Sequence, residues 1–389
     1  MYPTISDLIY DVFGIYIPLP IQSFGFMLAI SFLLAAYTLQ LELKRKEQLG
    51  LLHTFTRKVV KGKPAGFMDL LSSFLIGFVL GYKLVFALLN YDLFVQDTQG
   101  VLLSMQGSIP GGLLVGAIMA YMQYRESEKS KLPEPQTVME EVHPWQLVSN
   151  ITIVAAVSGI IGAKIFHNLE NLHEFKDHPL DALLSFSGLT MYGGLIVGAV
   201  TVMRYGYKRG IAPLVLSDAT APGLMLAYGT GRLGCQISGD GDWGIVNTSA
   251  KPEWLSWLPD WAWAYNYPHN VISEGVPIPG CEGRHCMVLP ENVFPTPLYE
   301  AFACILLFFV LWRMRTMLPK PGQLFSLYLL FNGVERLLIE QIRVNNRFDL
   351  LGMSVTQAEV IAVALISAGV GGLMYFSKKK SDDGLQRAR

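Results

Sequence analysis

Long apolar stretches separated by short polar segments run through the whole chain. Stretches of about 20 residues, enough for a helix to cross a hydrocarbon core of about 30 Å, fall at 19–40, 70–94, 101–124, 145–166, 182–203, 218–239, 293–312, 322–342 and 353–376. The pattern predicts an all-α integral membrane protein of about nine transmembrane helices. Between the sixth and seventh runs, residues 240–292 are rich in Trp, Pro, Gly and Asn and hold no long apolar run, which predicts a small extracytoplasmic head. The expected division is an N-terminal segment with run one and a basic loop (1–66), a hairpin of runs two and three with its linker (67–144), core runs four to six (145–239), the head (240–292), core runs seven to nine (293–377) and a tail (378–389).

Charge fixes the expected orientation. Lys44, Arg45, Lys46, Arg57, Lys58, Lys61 and Lys63 follow run one, and by the positive-inside rule they lie in the cytoplasm. Alternation then places Arg204, Lys208 and Arg209, next Arg313, Arg315 and Lys320, and finally Lys378 to Lys380 on the same side. The N-terminus is outside and the C-terminus cytoplasmic. Composition agrees: 51% of residues are hydrophobic and 16% charged, against about 25% charged in soluble domains. A net charge of -1, with the basic residues clustered mainly between the apolar runs, gives no reason to expect a nucleic acid partner. The first run lacks a basic leader and a small-residue cleavage site, so no removable signal peptide is expected. The four cysteines lack metal-type spacing, and no metal or cofactor is predicted. Cys281 and Cys286 share the head, where an oxidising compartment favours a disulfide over two free thiols.

Two hairpins follow one plan. Gly81-Tyr82-Lys83 precedes Gly111-Gly112-Leu113-Leu114-Val115-Gly116, and Gly162-Ala163-Lys164 precedes Gly193-Gly194-Leu195-Ile196-Val197-Gly198. Duplication of runs four and five into runs two and three is one explanation; the shared demand of closely packed membrane helices for small residues is the other.

Intramembrane charge costs about 2.5–3.5 kcal/mol per Arg or Lys at the bilayer centre on insertion scales, so each instance requires a partner or a purpose. Arg232 lies within Gly229-Thr230-Gly231-Arg232-Leu233-Gly234, where bare backbone and a guanidinium suit an anion. Arg336, Glu340 and Arg343, spaced i, i+4, i+7, share one face of a continuous helix, with Glu335 pointing elsewhere. A packing ion pair with Arg343 snorkelling explains that spacing equally well. Asp240 and Asp242 close run six within Ser238-Gly239-Asp240-Gly241-Asp242-Trp243-Gly244, and Pro295-Thr296-Pro297-Leu298-Tyr299-Glu300 opens run seven. The predicted topology brings these groups to lipid phosphate depth on the outer side. His167, at the outer end of run four, is either an interfacial residue or a proton acceptor.

Taken in order, Gly-Gly-Leu at Gly193, Arg-Leu-Gly at Arg232, the acidic stretch closing in Trp-Gly at Gly244, Pro-x-x-Leu-Tyr-Glu at Pro295 and Arg-x-x-x-Glu-x-x-Arg at Arg336 resemble the prolipoprotein diacylglyceryl transferases. The resemblance covers run one and roughly 145–376. It implies a bacterial cytoplasmic membrane enzyme that moves a diacylglyceryl group from phosphatidylglycerol to the lipobox cysteine of a prolipoprotein signal peptide. It carries Arg232, Arg336 and Glu340 over as catalytic, and Arg343, Gly193, Gly194, Gly234, Gly244, Tyr299, Glu300 and either Asp240 or Asp242 as substrate-binding. Three positions depart from the family: Tyr192 stands for its histidine, Cys235 for its asparagine and Phe24 for its tyrosine. The expectation is a thiol activated by the arginines with Tyr192 orienting it, or by His167 in the histidine's stead. The rival from another class is a non-catalytic phospholipid-binding paralogue or lipid transporter using the same arginines.

Overall fold

The computed structural model describes residues 1–96, 98–173, 190–345, 347–350 and 353–378. They are mostly helical and divide into two compact units.

One unit comprises 4–22 and 56–142. It contains a short helix α1 (Ile5–Phe13), whose Thr4 cap accepts from the Asp7 amide while the Asp7 carboxylate receives the Thr4 amide. Its body is the hairpin of α3 (Phe67–Leu89) and α6 (Ile109–Lys129), linked by the short helices α4 (Tyr91–Gln96) and α5 (Thr98–Leu103). Beneath it, β1 (Phe55–Lys61) pairs with β2 (Gln136–Val142). The predicted run 101–124 starts too early, because Ser108 caps the helix and Pro110 occupies its first turn. Lys83, inside α3, donates to the carbonyls of Val101 and Gln106 at 3.0 and 2.9 Å, so its half-buried ammonium is satisfied by the segment that connects α3 to α6.

The other unit comprises 1–3, 23–55 and 143–389. It holds α2 (Ser23–Gln48), α7 (Val148–Glu170), α8 (Met191–Tyr207), α9 (Pro213–Ser238), α10 (Thr296–Met314), α11 (Gln323–Ile339) and α12 (Gln357–Lys378). The start of predicted run five, 182–189, lies outside the described residues, as does the tail beyond Lys378. Run eight is shorter than predicted. It turns into a 3-10 segment at Glu340–Ile342, and Arg343 is extended, with φ -91° and ψ 154°. Arg343 is therefore not on a shared helical face with Arg336 and Glu340. Run nine also starts later than predicted, after the antiparallel hairpin of β5 (Arg347–Leu350) and β6 (Met353–Thr356). Thr356 and Glu359 cap α12 reciprocally, a signal present in the sequence. Among the described residues, five helices, Ser23–Gln48, Phe67–Leu89, Pro144–Glu170, Thr296–Met314 and Gln357–Lys378, are long and apolar enough by length and composition to cross a membrane.

The hairpins α3/α6 and α7/α8 share their contacts. A Cβ on Gly81 would strike the Gly111 carbonyl and Val115, and one on Gly162 would strike the Gly193 carbonyl and Val197. Both second helices are entered alike: Ser108 N donates to the Tyr82 carbonyl, and Thr190 N to that of Ala163. The glycines are required because the backbones touch.

At the end of this unit remote from the head, Glu42 is fully buried and accepts from Arg45 Nε (2.9 Å) and Arg315 Nη1 (2.7 Å). Asp218 caps α11 by accepting the amides of Gly322 and Phe325, each at 2.8 Å. The basic cluster that sets the predicted orientation thus also joins α2 to α10.

The head has its own core of Trp243, Tyr267, Leu289 and Val293. Tyr267 is fully buried and donates to Gln236 at the end of α9 (2.8 Å). Strands β3 (Val276–Pro277) and β4 (Met287–Val288) pair antiparallel, and Cys281 is bonded to Cys286.

Candidate active site

Three chain segments are stitched together where α9 ends, α10 begins and α11 ends. Gly244 N donates to the Phe294 carbonyl and Ile245 N to that of Ile342, both at 2.9 Å. Gly244 and Arg343 form an antiparallel bridge, and Thr296 Oγ1 donates to the Asp242 carbonyl at 2.7 Å. A Cβ on Gly244 would collide with the Ile342 carbonyl and with Thr296, which accounts for glycine there. The turn out of α9 is made by Gly239 and Gly241, with φ of +64° and +96°.

The stitching closes a ring of alternating charge. Arg232 contacts Asp242, and its Nε lies 2.6 Å from Glu300 Oε2. Arg343 donates from Nη1 to Glu300 Oε1 and from Nη2 to Asp242 Oδ1, each at 2.7 Å. Tyr228, one turn before Arg232, donates to Glu300 Oε2 at 2.8 Å, and the Arg232 guanidinium lies 5.2 Å from its ring centroid. Two guanidiniums and two carboxylates make the ring neutral, which is how four charges are held among apolar helices. The members differ in access. Glu300 is fully buried, the Arg343 and Arg232 side chains are 9% and 13% exposed, and Asp242 is 34% exposed. Burial alone would raise the Asp242 carboxyl, but Arg232 and Arg343 outweigh it and hold it below the ordinary value of 3.8. Asp240 is pushed the other way, by burial and by the charge of Asp242.

The remaining predicted residues lie at varying distances from the ring. Cys235 lies against Arg232, with Sγ 3.8 Å from Nη1, and Phe24 packs across Gly234. Arg336 forms a separate pair with Glu340 at 3.3 Å, and Glu340 also accepts from Asn345 at 2.6 Å. Tyr299 faces the head, donating to the Trp263 carbonyl at 3.3 Å. Gly193 and Gly194 are packing residues of the α7/α8 hairpin, against Phe166 and the Gly159 carbonyl. Among the described residues, neither Tyr192 nor His167 bonds to the ring; His167 Nδ1 is 3.3 Å from Asn171 Nδ2. Sequence reasoning overlooked Tyr228, although its i, i+4 spacing to Arg232 marks a shared face. It also dismissed Glu335, which is 7% exposed and within electrostatic range of Glu300, Arg336, Arg232 and Arg343.

Ligand atoms of Cys235, Asp240 and Asp242 lie within 4.8 Å of one another, a spacing that a cation would accept. Two guanidiniums already hold Asp242, so exchange of its carboxylate for another anion fits this charge pattern better.

Residues 135–375 match the family described as prolipoprotein diacylglyceryl transferase. Among similar proteins, the phosphatidylglycerol--prolipoprotein diacylglyceryl transferase of Clostridium tetani is 28% identical over 60% of this chain and 82% of its own length. That of Corynebacterium diphtheriae is 27% identical over 57% and 76%, and that of Shouchella clausii 24% over 68% and 83%. The match spans more than half the sequence and takes in every ring residue, and the chain belongs to the prolipoprotein diacylglyceryl transferase family.

Proposed function

We propose that this protein transfers the diacylglyceryl group of phosphatidylglycerol to the lipobox cysteine of a prolipoprotein signal peptide, forming a thioether and releasing glycerol phosphate. The observation that carries this reading is the ring, in which two arginines converge on one half-exposed carboxylate. A phosphodiester that takes the place of Asp242 receives the same fork of donors, and charge building on the leaving oxygen is stabilised by groups already in position. Glu300, buried and held by both arginines and Tyr228, keeps those donors aimed.

In this reading nine helices span the bacterial cytoplasmic membrane, the N-terminus and head lie outside, and the ring faces the outer leaflet. The hairpin α3/α6 is an addition to the family body. Arg336 with Glu340 bounds the lipid-binding region, and Tyr192 orients the incoming peptide. A lipid-binding paralogue without chemistry is the less favoured reading, since the named relatives are transferases.

The test is direct. Purified protein in phosphatidylglycerol bilayers is expected to add a diacylglyceryl mass to a lipobox peptide, and bilayers of phosphatidylethanolamine alone give none. Tight phospholipid binding with no mass shift would defeat the enzymatic reading.

A further inference from the structure

Glu335 is more than nine-tenths buried, and among the described residues neither of its carboxyl oxygens has a hydrogen-bond partner. In an apolar bundle an unpartnered carboxyl is costly, and such groups persist where a ligand or a reaction uses them. The other acids around it are occupied. Glu300 and Asp242 are held by the ring arginines, and Glu340 by Arg336 and Asn345.

Its depth along the helices is informative. Tyr228 lies one turn before Arg232 on α9, Cys304 one turn after Glu300 on α10, and Glu335 about one turn before Glu340 on α11. These three form a layer one turn further from the head than the ring. The titratable and charged groups within electrostatic range of Glu335 are Tyr228 and Arg232 from α9, Glu300 and Cys304 from α10, and Arg336 and Arg343 from its own segment. From α12, Glu359 is turned to Gln341 and the Thr356 amide instead.

Displacement at carbon proceeds in line, with the nucleophile opposite the leaving oxygen and about 3–3.5 Å from the carbon. A phosphate held in the ring, with its acyl chains toward the membrane, places the reacting carbon on the far side of the ring from the head. The thiol then arrives one layer deeper.

We propose that Glu335 accepts the proton of the attacking lipobox thiol. The proposal rests on the transferase reading above and gives that reaction its base. Sulfur bonds to the glyceryl carbon as its proton passes to the Glu335 carboxylate. The carbon–oxygen bond breaks with its electron pair on the phosphate oxygen, held by Arg232 and Arg343. Departing glycerol phosphate takes the proton from Glu335, which restores the carboxylate and balances the reaction.

The test compares wild type, Glu335→Gln and Glu335→Asp in phosphatidylglycerol bilayers with a lipobox peptide, from pH 6 to about 9.5. Gln keeps size and polarity but accepts no proton. Glu335→Gln should lower kcat at pH 7 by about 100-fold or more, with KM little changed. Its rate should then rise tenfold per pH unit toward the ordinary thiol pKa of about 8.5, as the substrate ionises unaided. Glu335→Asp should keep intermediate turnover without that slope. A Glu335→Gln kcat within threefold of wild type at pH 7 would overturn the proposal alone. A loss that high pH does not recover would overturn it too, since the carboxyl would then be structural. Absence of transfer in wild type would defeat the transferase reading itself and this proposal with it.

Discussion

Asp242 is the ring member nearest solvent, and its position between two guanidiniums makes it a resident anion. Replacing it with Asn leaves Arg232 and Arg343 with Glu300 as their remaining carboxylate and frees the donors that faced Asp242. Asp242→Asn is expected to bind glycerol phosphate about tenfold more tightly by calorimetry and to turn over more slowly through delayed release. Its folded pKa lies below 3.8, so the stability it contributes is fully present above that value and lost as pH falls through the lower folded value. Thermal unfolding followed below pH 4 should show this slope in wild type and lack it in Asp242→Asn. In the proposed reaction Arg232 serves two ends, pairing with Glu300 and offering donors to phosphate. Arg232→Ala should therefore lose stability as well, by about 3–5 kcal/mol, because Glu300 is left buried and underpaired. Arg232→Lys keeps the charge without the fork and should fold while losing about 100-fold or more in kcat. Arg232, Arg343 and Glu300 are legible in the sequence because charge in an apolar run needs a reason. Their partners are not, because Asp242 and Arg343 meet across a separation of 101 residues that no local spacing encodes.

At the scale of elements, apolar periodicity locates most helices but misplaces their ends. The α11 terminus matters most. Read as continuous, it puts Arg343 beside Glu340; the 3-10 turn at Glu340–Ile342 instead swings it to Glu300 and Asp242. Nothing in Leu337 to Val344 marks that stop, since it is imposed by the Gly244–Arg343 bridge. The hairpin glycines, by contrast, are legible in sequence and used as their pattern implies. Gly162→Val forces the α7 and α8 backbones apart, whereas Ser158→Ala in the same helix does not. The first should lose about 1–3 kcal/mol in detergent unfolding and the second little. In the head, Cys281 and Cys286 should resist maleimide labelling until reduced, as their bond requires. Rapid labelling of the unreduced protein would contradict it.

The whole molecule divides unevenly. The family match over 135–375 lies almost wholly in the unit that carries the ring, whereas the α3/α6 hairpin precedes it. Removing 56–142 and joining the ends with a short flexible linker is expected to leave transfer within about threefold of wild type. Loss of transfer by an inserted, folded variant would show that the hairpin takes part.

The ring also bears on how the protein is made. Arg232 and Asp242 are synthesised first, Glu300 later and Arg343 last, so the charges balance in the first pair, tip negative with Glu300 and balance again only when Arg343 has entered the bilayer. Before Asp242 follows it, α9 carries a guanidinium whose insertion costs about 2.5–3.5 kcal/mol if it sits near the bilayer centre. A nascent chain arrested before residue 343 would present both carboxylates with only Arg232 to pair them, which is a chemical mark of incompleteness. Closure of the ring thus requires the chain at least as far as Arg343, and a chain cut short before it keeps a surplus carboxylate among its helices.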